Sequence, residues 1–340
     1  MAVALTFAGA IALAWVMTGV VRRYALAREV LDLPNERSAH IAPTPRGGGL
    51  ALVGVVSLGV ILLQLKGDVP SNITIAIVGG GLVTAAVGWL DDRRGLGAGF
   101  RILAHFAAAA WAVVWLGGFP HLTFGTSRLA FGLIGSVFAV IAIVWLINLY
   151  NFMDGIDGIA GVNALIAAGF GAFLLYGSGN AGLASIALLI AGASLGFLIW
   201  NWSPARIFLG DAGSGALGFY FGVLAVASEN SGALPFFAWM ILLAVFLVDS
   251  TVTLSRRFVR RERWYAAHNN HAYQRAVRAG FSHGAVSISV ALIDALVGLA
   301  VVAAVRAGNG ILLVGAVTLM LLLSIYVGVE LLNPMKYADQ

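Results

Sequence analysis

Five aspartates stand in three short segments whose composition suits phosphate chemistry. These are Trp89-Leu90-Asp91-Asp92-Arg93-Arg94, Asn148-Leu149-Tyr150-Asn151-Phe152-Met153-Asp154-Gly155-Ile156-Asp157-Gly158 and Phe208-Leu209-Gly210-Asp211-Ala212-Gly213-Ser214. Two more segments carry complementary groups, Pro43-Thr44-Pro45-Arg46-Gly47-Gly48-Gly49 and His268-Asn269-Asn270-His271-Ala272-Tyr273-Gln274-Arg275. Carboxylates gathered in one place repel each other unless a cation lies among them. Carboxylate and amide oxygens are hard ligands of the kind Mg²⁺ takes, and Mg²⁺ usually adds water and phosphate oxygens. Arginines in the same segments have the forked donors that grip a diphosphate. Together these residue types describe a metal-diphosphate site. Each segment also has a plainer use: a solvated helix cap at Asp91-Asp92, a tightly packed helix start at residues 47–49, interface histidines, or loop polarity at Asp154 and Asp157. Packing needs alone do not explain all five segments falling on one side of a membrane.

A membrane is what the rest of the chain requires. Of its 340 residues, 60% are hydrophobic and 10% charged, with a mean hydropathy of +0.94. A soluble domain carries about 25% charged residues, so most of this chain must face lipid or other helices. Apolar stretches able to cross about 30 Å of hydrocarbon fall at 2–21, 47–65, 73–90, 102–118, 129–148, 159–177, 181–200, 215–228, 235–254, 285–305 and 310–330. The eighth is short as drawn, and its ends are expected to extend into the flanking glycines. The expected fold is all-α: one polytopic membrane domain over 1–340, with about eleven spans. The first stretch has no basic run before it and Arg22-Arg23 after it, which suits an uncleaved anchor. There is no cysteine, hence no disulfide frame or thiolate metal site.

Lys and Arg set the orientation. Arg22, Arg23, Arg28, Arg37, Arg46, Arg93, Arg94 and Arg101 fall in alternate connections, and the segment 255–284 adds seven more arginines. The opposite connections hold only Lys66, Arg128 and Arg306. The N-terminus is therefore expected outside and the C-terminus in the cytoplasm. The net charge of +5 is a topology signal and gives no reason to invoke nucleic acid. All five site aspartates fall at the cytoplasmic ends of spans. In the segment 255–284, Arg256–Arg263 with Trp264 and Tyr265 is expected to form an interfacial helix on anionic lipid, leading to the histidine motif. Asp249 and Asp294 are costly in lipid and must face the bundle interior or water; a partner such as Arg256 or a groove role suits Asp249.

From Asp32 to about residue 280 the chain resembles the polyprenyl-phosphate N-acetylhexosamine-1-phosphate transferases. These include bacterial initiators of O-antigen, common antigen and teichoic acid linkage units, with the lipid I synthase of peptidoglycan more distant. The pieces that carry the resemblance are Asp32-Leu33-Pro34-Asn35-Glu36-Arg37-Ser38-Ala39-His40 before Pro-Thr-Pro-Arg-Gly-Gly-Gly, the Asp91-Asp92 pair, Asn151 to Gly158, and Asn201-Trp202-Ser203-Pro204-Ala205-Arg206-Ile207-Phe208-Leu209-Gly210-Asp211. The resemblance implies that Asp211 binds Mg²⁺, with Mn²⁺ as a substitute, and that Asn151 shares the ion. It implies that Asp91 and Asp92 are essential, Asp91 as a base toward the lipid phosphate. A phosphate monoester is already largely ionised at neutral pH, so positioning the nucleophile is an alternative role. Asp157 matches a position near the uracil, Phe208 a ring stacked on it, and Arg101 a phosphate clamp. His271 joins the catalytic candidates. Arg46, Asp154, Asn201, Arg206, His268 and Arg275 join those for substrate binding.

One motif departs from the family. Where relatives carry His-x-His-His-Arg, this chain has His271-Ala272-Tyr273-Gln274-Arg275. That departure resembles O-antigen initiators that transfer N-acetylfucosamine or N-acetylquinovosamine phosphate. The expected reaction is attack by a polyprenyl-phosphate oxygen on a UDP-N-acetylhexosamine, releasing UMP. Its setting is the bacterial inner membrane, its acceptor undecaprenyl phosphate, and the prenyl chain is expected to enter by a groove near the ninth span. Small-residue faces at Gly79-Gly80-Gly81 and Gly192 pack helices within one subunit or between two in a homodimer. A polytopic transporter is the alternative, but it calls for midplane charges and a repeat between halves. An intramembrane aspartyl protease would use two carboxylates sharing a proton and leaves the arginines without a role.

Overall fold

The computed structural model describes residues 2–32, 43–124, 127–262 and 268–336. A helix lies on each of the eleven apolar stretches. The first is α1 (Ala2–Ala27); after it Leu31–Asp32 (β1) pairs antiparallel with Thr44–Pro45 (β2). Helices α2 (Gly49–Leu65), α3 (Ser71–Arg94) and α4 (Ala98–Trp115) follow. A hairpin of β3 (His121–Phe124) and β4 (Ser127–Ala130) leads into α5 (Gly132–Met153), α6 (Ile159–Gly177), α7 (Ala181–Asn201) and α8 (Gly210–Asn230). The ninth stretch is broken at Leu243 into α9 (Phe236–Leu242) and α10 (Ala244–Val259), bent by 78°. Short α11 (Ala272–Arg278) precedes α12 (His283–Arg306) and α13 (Ile311–Leu332).

Eight of these helices are individually long and apolar enough to cross a membrane, and the bent pair makes a ninth. The fold is an all-α, polytopic membrane bundle. Helix α2 is short at 17 residues. Helix α8 runs 21 residues, so the eighth stretch does extend into its flanking glycines. It is rich in Gly and Ser because it sits at the centre, buried from Ala212 to Glu229 and packed on α3, α5 and α2. A helix that meets other helices needs small residues for close approach more than it needs apolarity toward lipid. The small faces named above are used inside the chain. A Cβ on Gly79 would meet Trp111, on Gly80 Phe219, on Gly81 Tyr220 and on Gly192 Ala10 and Phe7.

The up-and-down path brings one set of helix ends to one face. There α1, α3, α5, α7, α10 and α13 finish, and α2, α4, α6, α8 and α12 begin. The positive ends of the helix dipoles at those N-termini favour anions. The basic stretch from Arg256 continues α10 to Val259 and turns at Arg260–Arg261; residues 263–267, including Trp264 and Tyr265, lie outside the described residues, as does the whole segment 33–42.

Candidate active site

The loop before α2 and the approach to α8 lock together through backbone bonds. Phe208 N–H donates to Pro45 C=O at 2.8 Å, Gly48 N–H to Phe208 C=O at 2.9 Å, and Gly49 N–H to Leu209 C=O at 2.9 Å. Arg46 is thereby held over the start of α8. Its Nε lies 3.1 Å from Asp92 Oδ1 and its Nη2 3.7 Å from Asp211 Oδ1. Asp92, on the last turn of α3, accepts the Asp211 N–H at 3.0 Å. Gly210 supplies the turn that makes this possible. Its φ is +74°, and a Cβ there would lie 2.5 Å from Asp92 Oδ2, so only glycine fits without strain.

Asp91 faces the other way. Its Oδ1 accepts Leu96 N–H at 2.6 Å and its Oδ2 pairs with Arg101 on α4. Arg101 Nη1 is also 3.8 Å from Asp211 Oδ2. Asp211 thus stands between two arginines, one on each side. Asn151, on the last turn of α5, donates to Ser214 Oγ at 3.4 Å and completes the junction.

Two cavities meet there. One, of about 410 Å³, opens between α3, α4, α5 and α8; its walls are largely apolar, with Asp91, Arg101, Asn151 and Asp211 at its polar end. The other, of about 250 Å³, is polar and lined by Arg46, Asp154, Asp157, Asn201, Phe208 and Gln274 among others. Asn151 and Asp211 line both. Such a pair of pockets can hold an apolar chain with a charged head on one side and a polar phosphate ester on the other. The reacting groups would then meet at Asp211.

Residues 74–229 match the model of Glycosyl transferase family 4. A Mycolicibacterium smegmatis protein named decaprenyl-phosphate N-acetylglucosaminephosphotransferase is 31% identical over 299 residues, covering 78% of this chain and 73% of its own. The chain belongs to the polyprenyl-phosphate N-acetylhexosamine-1-phosphate transferase family. A Bacillus subtilis (strain 168) protein, "Probable undecaprenyl-phosphate N-acetylglucosaminyl 1-phosphate transferase", is 27% identical over 79% of this chain and 75% of its own. A phospho-N-acetylmuramoyl-pentapeptide-transferase of Picosynechococcus sp. is 32% identical over 64% of this chain and 61% of its own.

Within this transferase the remaining candidates divide. Asp154 lines the polar cavity, where burial pushes its carboxyl well above the usual range; Arg46 opposes this, and Asp211, Asp92 and Asp157 add to it. Asn201 staples two loops, accepting Gly158 N–H at 3.0 Å and donating to Ile207 C=O at 2.9 Å. Arg206 is exposed and lines neither cavity. Among the described residues no group of three or more His, Cys, Asp or Glu side chains is arranged to hold a metal by itself.

Of the histidine motif, His268, His271 and Arg275 line neither cavity. His271 is 2% exposed and sits 3.4 Å from Asp249. Asp249 also accepts the first N–H groups of α11, from Ala272 at 2.8 Å and Tyr273 at 3.2 Å. The notion of an Asp249–Arg256 pair gives way here, because Arg256 forks onto Glu330 at 2.6 and 3.0 Å. His268 packs beside His271; burial, then His271 and Arg257, push it down to about 3. Arg275 is wholly buried, paired with Glu330 and lying 4.8 Å over the Tyr326 ring. Asp294 finds a partner in Asn163 at 2.9 Å, which in turn accepts from Tyr150.

Arg275 therefore fastens α11 to the end of α13. Arg275→Ala is expected to lower the thermal stability of the purified protein, at the low end of the about 3–5 kcal/mol for breaking a buried pair, because Glu330 keeps Arg256. The apparent KM for the sugar nucleotide should change less than threefold; a larger shift with unchanged melting would return Arg275 to the substrate.

Two residues of the polar cavity escaped the sequence reading. Gln274 lines it while its Oε1 accepts His271 N–H at 3.2 Å. His283, the first residue of α12, lines it beside Asp157. A lone histidine after Ser282 carries no motif, and only the packing of α12 on α6 brings it to the site.

Proposed function

We propose that this protein transfers N-acetylhexosamine-1-phosphate from a UDP-sugar to undecaprenyl phosphate at the cytoplasmic face of the bacterial inner membrane. The products are a polyprenyl-diphosphate sugar and UMP, and the step initiates a surface polysaccharide of the O-antigen type. The observation that carries this reading is the meeting of an apolar and a polar cavity at Asn151 and Asp211. The apolar cavity takes the first part of the prenyl chain and the polar cavity takes the sugar nucleotide. In this reading the prenyl chain enters between α3, α4, α5 and α8; the groove expected near the ninth span also has a counterpart, an apolar cavity of about 260 Å³ lined by Val245, Val248 and Asp249 of α10 with residues of α12 and α13. The positive-inside distribution of arginines supports eleven crossings with the site face cytoplasmic.

In the reaction an oxygen of the acceptor phosphate forms a bond to the β-phosphorus of the donor. The bond from that phosphorus to the UMP oxygen breaks, so the number of diphosphate linkages is conserved. Arg101, held by Asp91, orients the acceptor phosphate. Arg46, held by Asp92, neutralises the donor diphosphate. Catalysis of this kind rests on positioning and electrostatics. Asp211 and Asn151 offer one carboxylate and one amide, which fits Mg²⁺, an ion that takes few protein oxygens and completes its shell from phosphate and water. When bound there it would spread the charge of the diphosphate.

The test is UMP release by purified protein given undecaprenyl phosphate, Mg²⁺ and a panel of UDP-GlcNAc, UDP-FucNAc and UDP-QuiNAc. Release is expected to require the lipid, to identify the sugar, and to fall below one tenth when EDTA removes divalent ions, with Mn²⁺ or Mg²⁺ restoring it. Lipid-dependent release that survives chelation would remove the metal from the mechanism. Failure with every donor would overturn the reaction assigned here.

A further inference from the structure

Resting on that reading, we propose that His283 binds the sugar-nucleotide donor through Nε2 in the polar cavity, with Asp157 as the residue that orients it.

The argument begins with Asp157, whose carboxylate is already engaged by the protein. Its Oδ2 accepts Ala205 N–H at 3.2 Å and lies 3.3 Å from His283 Nδ1. Burial acts to raise this carboxyl, yet His283, the Ala205 N–H and Ser203 outweigh it and hold it below the usual range. The Asp157 backbone is fixed as well. Its C=O accepts Ser287 Oγ–H at 2.8 Å, one turn further along α12. Loop and helix are thus tied twice, and the imidazole between them has little freedom.

Both contacts of His283 run through Nδ1: the Asp157 carboxylate lies 3.3 Å away, and the Asp157 backbone N–H points at Nδ1 from 3.5 Å. A carboxylate on one ring nitrogen fixes the ring and leaves the other to act. The side chain is 15% exposed and lines the polar cavity. Its neighbours on that wall include Asn201 and Gln274, both partly committed to backbone groups. His283 is absent from the lining of the apolar cavity, so its ligand is the donor and not the lipid acceptor. Nδ1 can serve only one of its two Asp157 contacts; with its N–H given to the nearer carboxylate oxygen, Nε2 offers a lone pair to an N–H or O–H of the base or sugar.

The experiment compares full-length His283→Ala, His283→Gln and His283→Asn with the parent protein. Gln carries a polar atom near the Nε2 position, whereas Asn reaches only the Nδ1 position. His283→Ala is expected to raise KM for the UDP-sugar about tenfold, the worth of one ligand hydrogen bond, with kcat and KM for undecaprenyl phosphate within threefold. Gln should recover part of the loss and Asn should not. A KM within twofold of the parent overturns the proposal. So does equal rescue by Asn and Gln, because the ring would then serve only to hold Asp157.

Inhibition by UMP tells which part of the donor is touched. A parallel rise in its inhibition constant assigns the contact to the uridine moiety, and an unchanged constant assigns it to the sugar. Stabilisation of the detergent-solubilised protein by UDP-GlcNAc with Mg²⁺ needs no turnover. It is expected in the parent and lost in His283→Ala, and an equal shift in both overturns the contact. An inactive parent would count against the reaction, while this binding comparison would still decide the role of His283.

Discussion

Asp211→Asn protein is expected to lose at least about 100-fold in lipid-dependent UMP release, the range seen when one preorganised electrostatic group is removed, while melting within a few degrees of the parent. Asp211 is the carboxylate that lines both cavities. It stands 3.7 Å from Arg46 and 3.8 Å from Arg101, too far for tight hydrogen bonds and close enough to share their fields. Asn keeps the shape and removes the charge. Its backbone N–H still donates to Asp92, so the start of α8 has no reason to unravel. The loss should therefore fall on kcat. A variant within threefold of the parent would mean that the shared carboxylate neither holds an ion nor orders the two substrates. Raising Mg²⁺ should recover part of the rate if the defect is ion affinity.

The second large effect is placed a turn away, where no chemical group is changed. Gly88→Ala is expected to lose at least about tenfold in activity and to lower the melting temperature. A Cβ on Gly88 would lie 2.4 Å from Ala212 N and from the carbon and oxygen of the Asp211 carbonyl. These are backbone atoms and cannot swing aside, so α3 and α8 must separate. Overpacking of this kind costs about 1–3 kcal/mol. The separation falls where Asp92 accepts the Asp211 N–H, so the geometry of the site suffers as well. Gly169→Ala on α6 is the control, because a Cβ there meets nothing within 4 Å and alanine favours helix. Equal harm from both substitutions would show that the effect is general to glycines in this bundle and not specific to the α3–α8 contact.

Gly88 also shows how the segments read. The segment 43–49 was open to two uses, part of a metal-diphosphate site or a tightly packed helix start. The structure assigns Gly49 to packing, for its Cβ would lie 2.1 Å from Gly213 Cα. Arg46 beside it keeps the electrostatic role, held there by the backbone bonds to Phe208 and Leu209. One short motif thus serves both purposes through different residues.

Apolar run length and charge placement determined the helices, their order and the face that carries the carboxylates. These properties are local: a stretch of about twenty apolar residues must satisfy its own backbone as a helix whatever surrounds it. The convergence of Asp91, Asp92, Asn151, Asp154 and Asp211 was legible for the same reason, since each ends or begins a helix at that face. Pairings across the fold were not. Only tertiary structure drew His271 to Asp249 and Arg275 to Glu330, set Asp91 on Arg101 and Asp92 on Arg46, and carried His283 to Asp157 across 126 residues. The apolar cavity lies where α3, α4, α5 and α8 meet, and the polar one where the loops after α5 and α7 come together with Arg46, Gln274 and His283. Periodicity records which residues leave water, but a buried charge takes whichever partner helix packing brings within reach, and that choice is made by shape over the whole bundle.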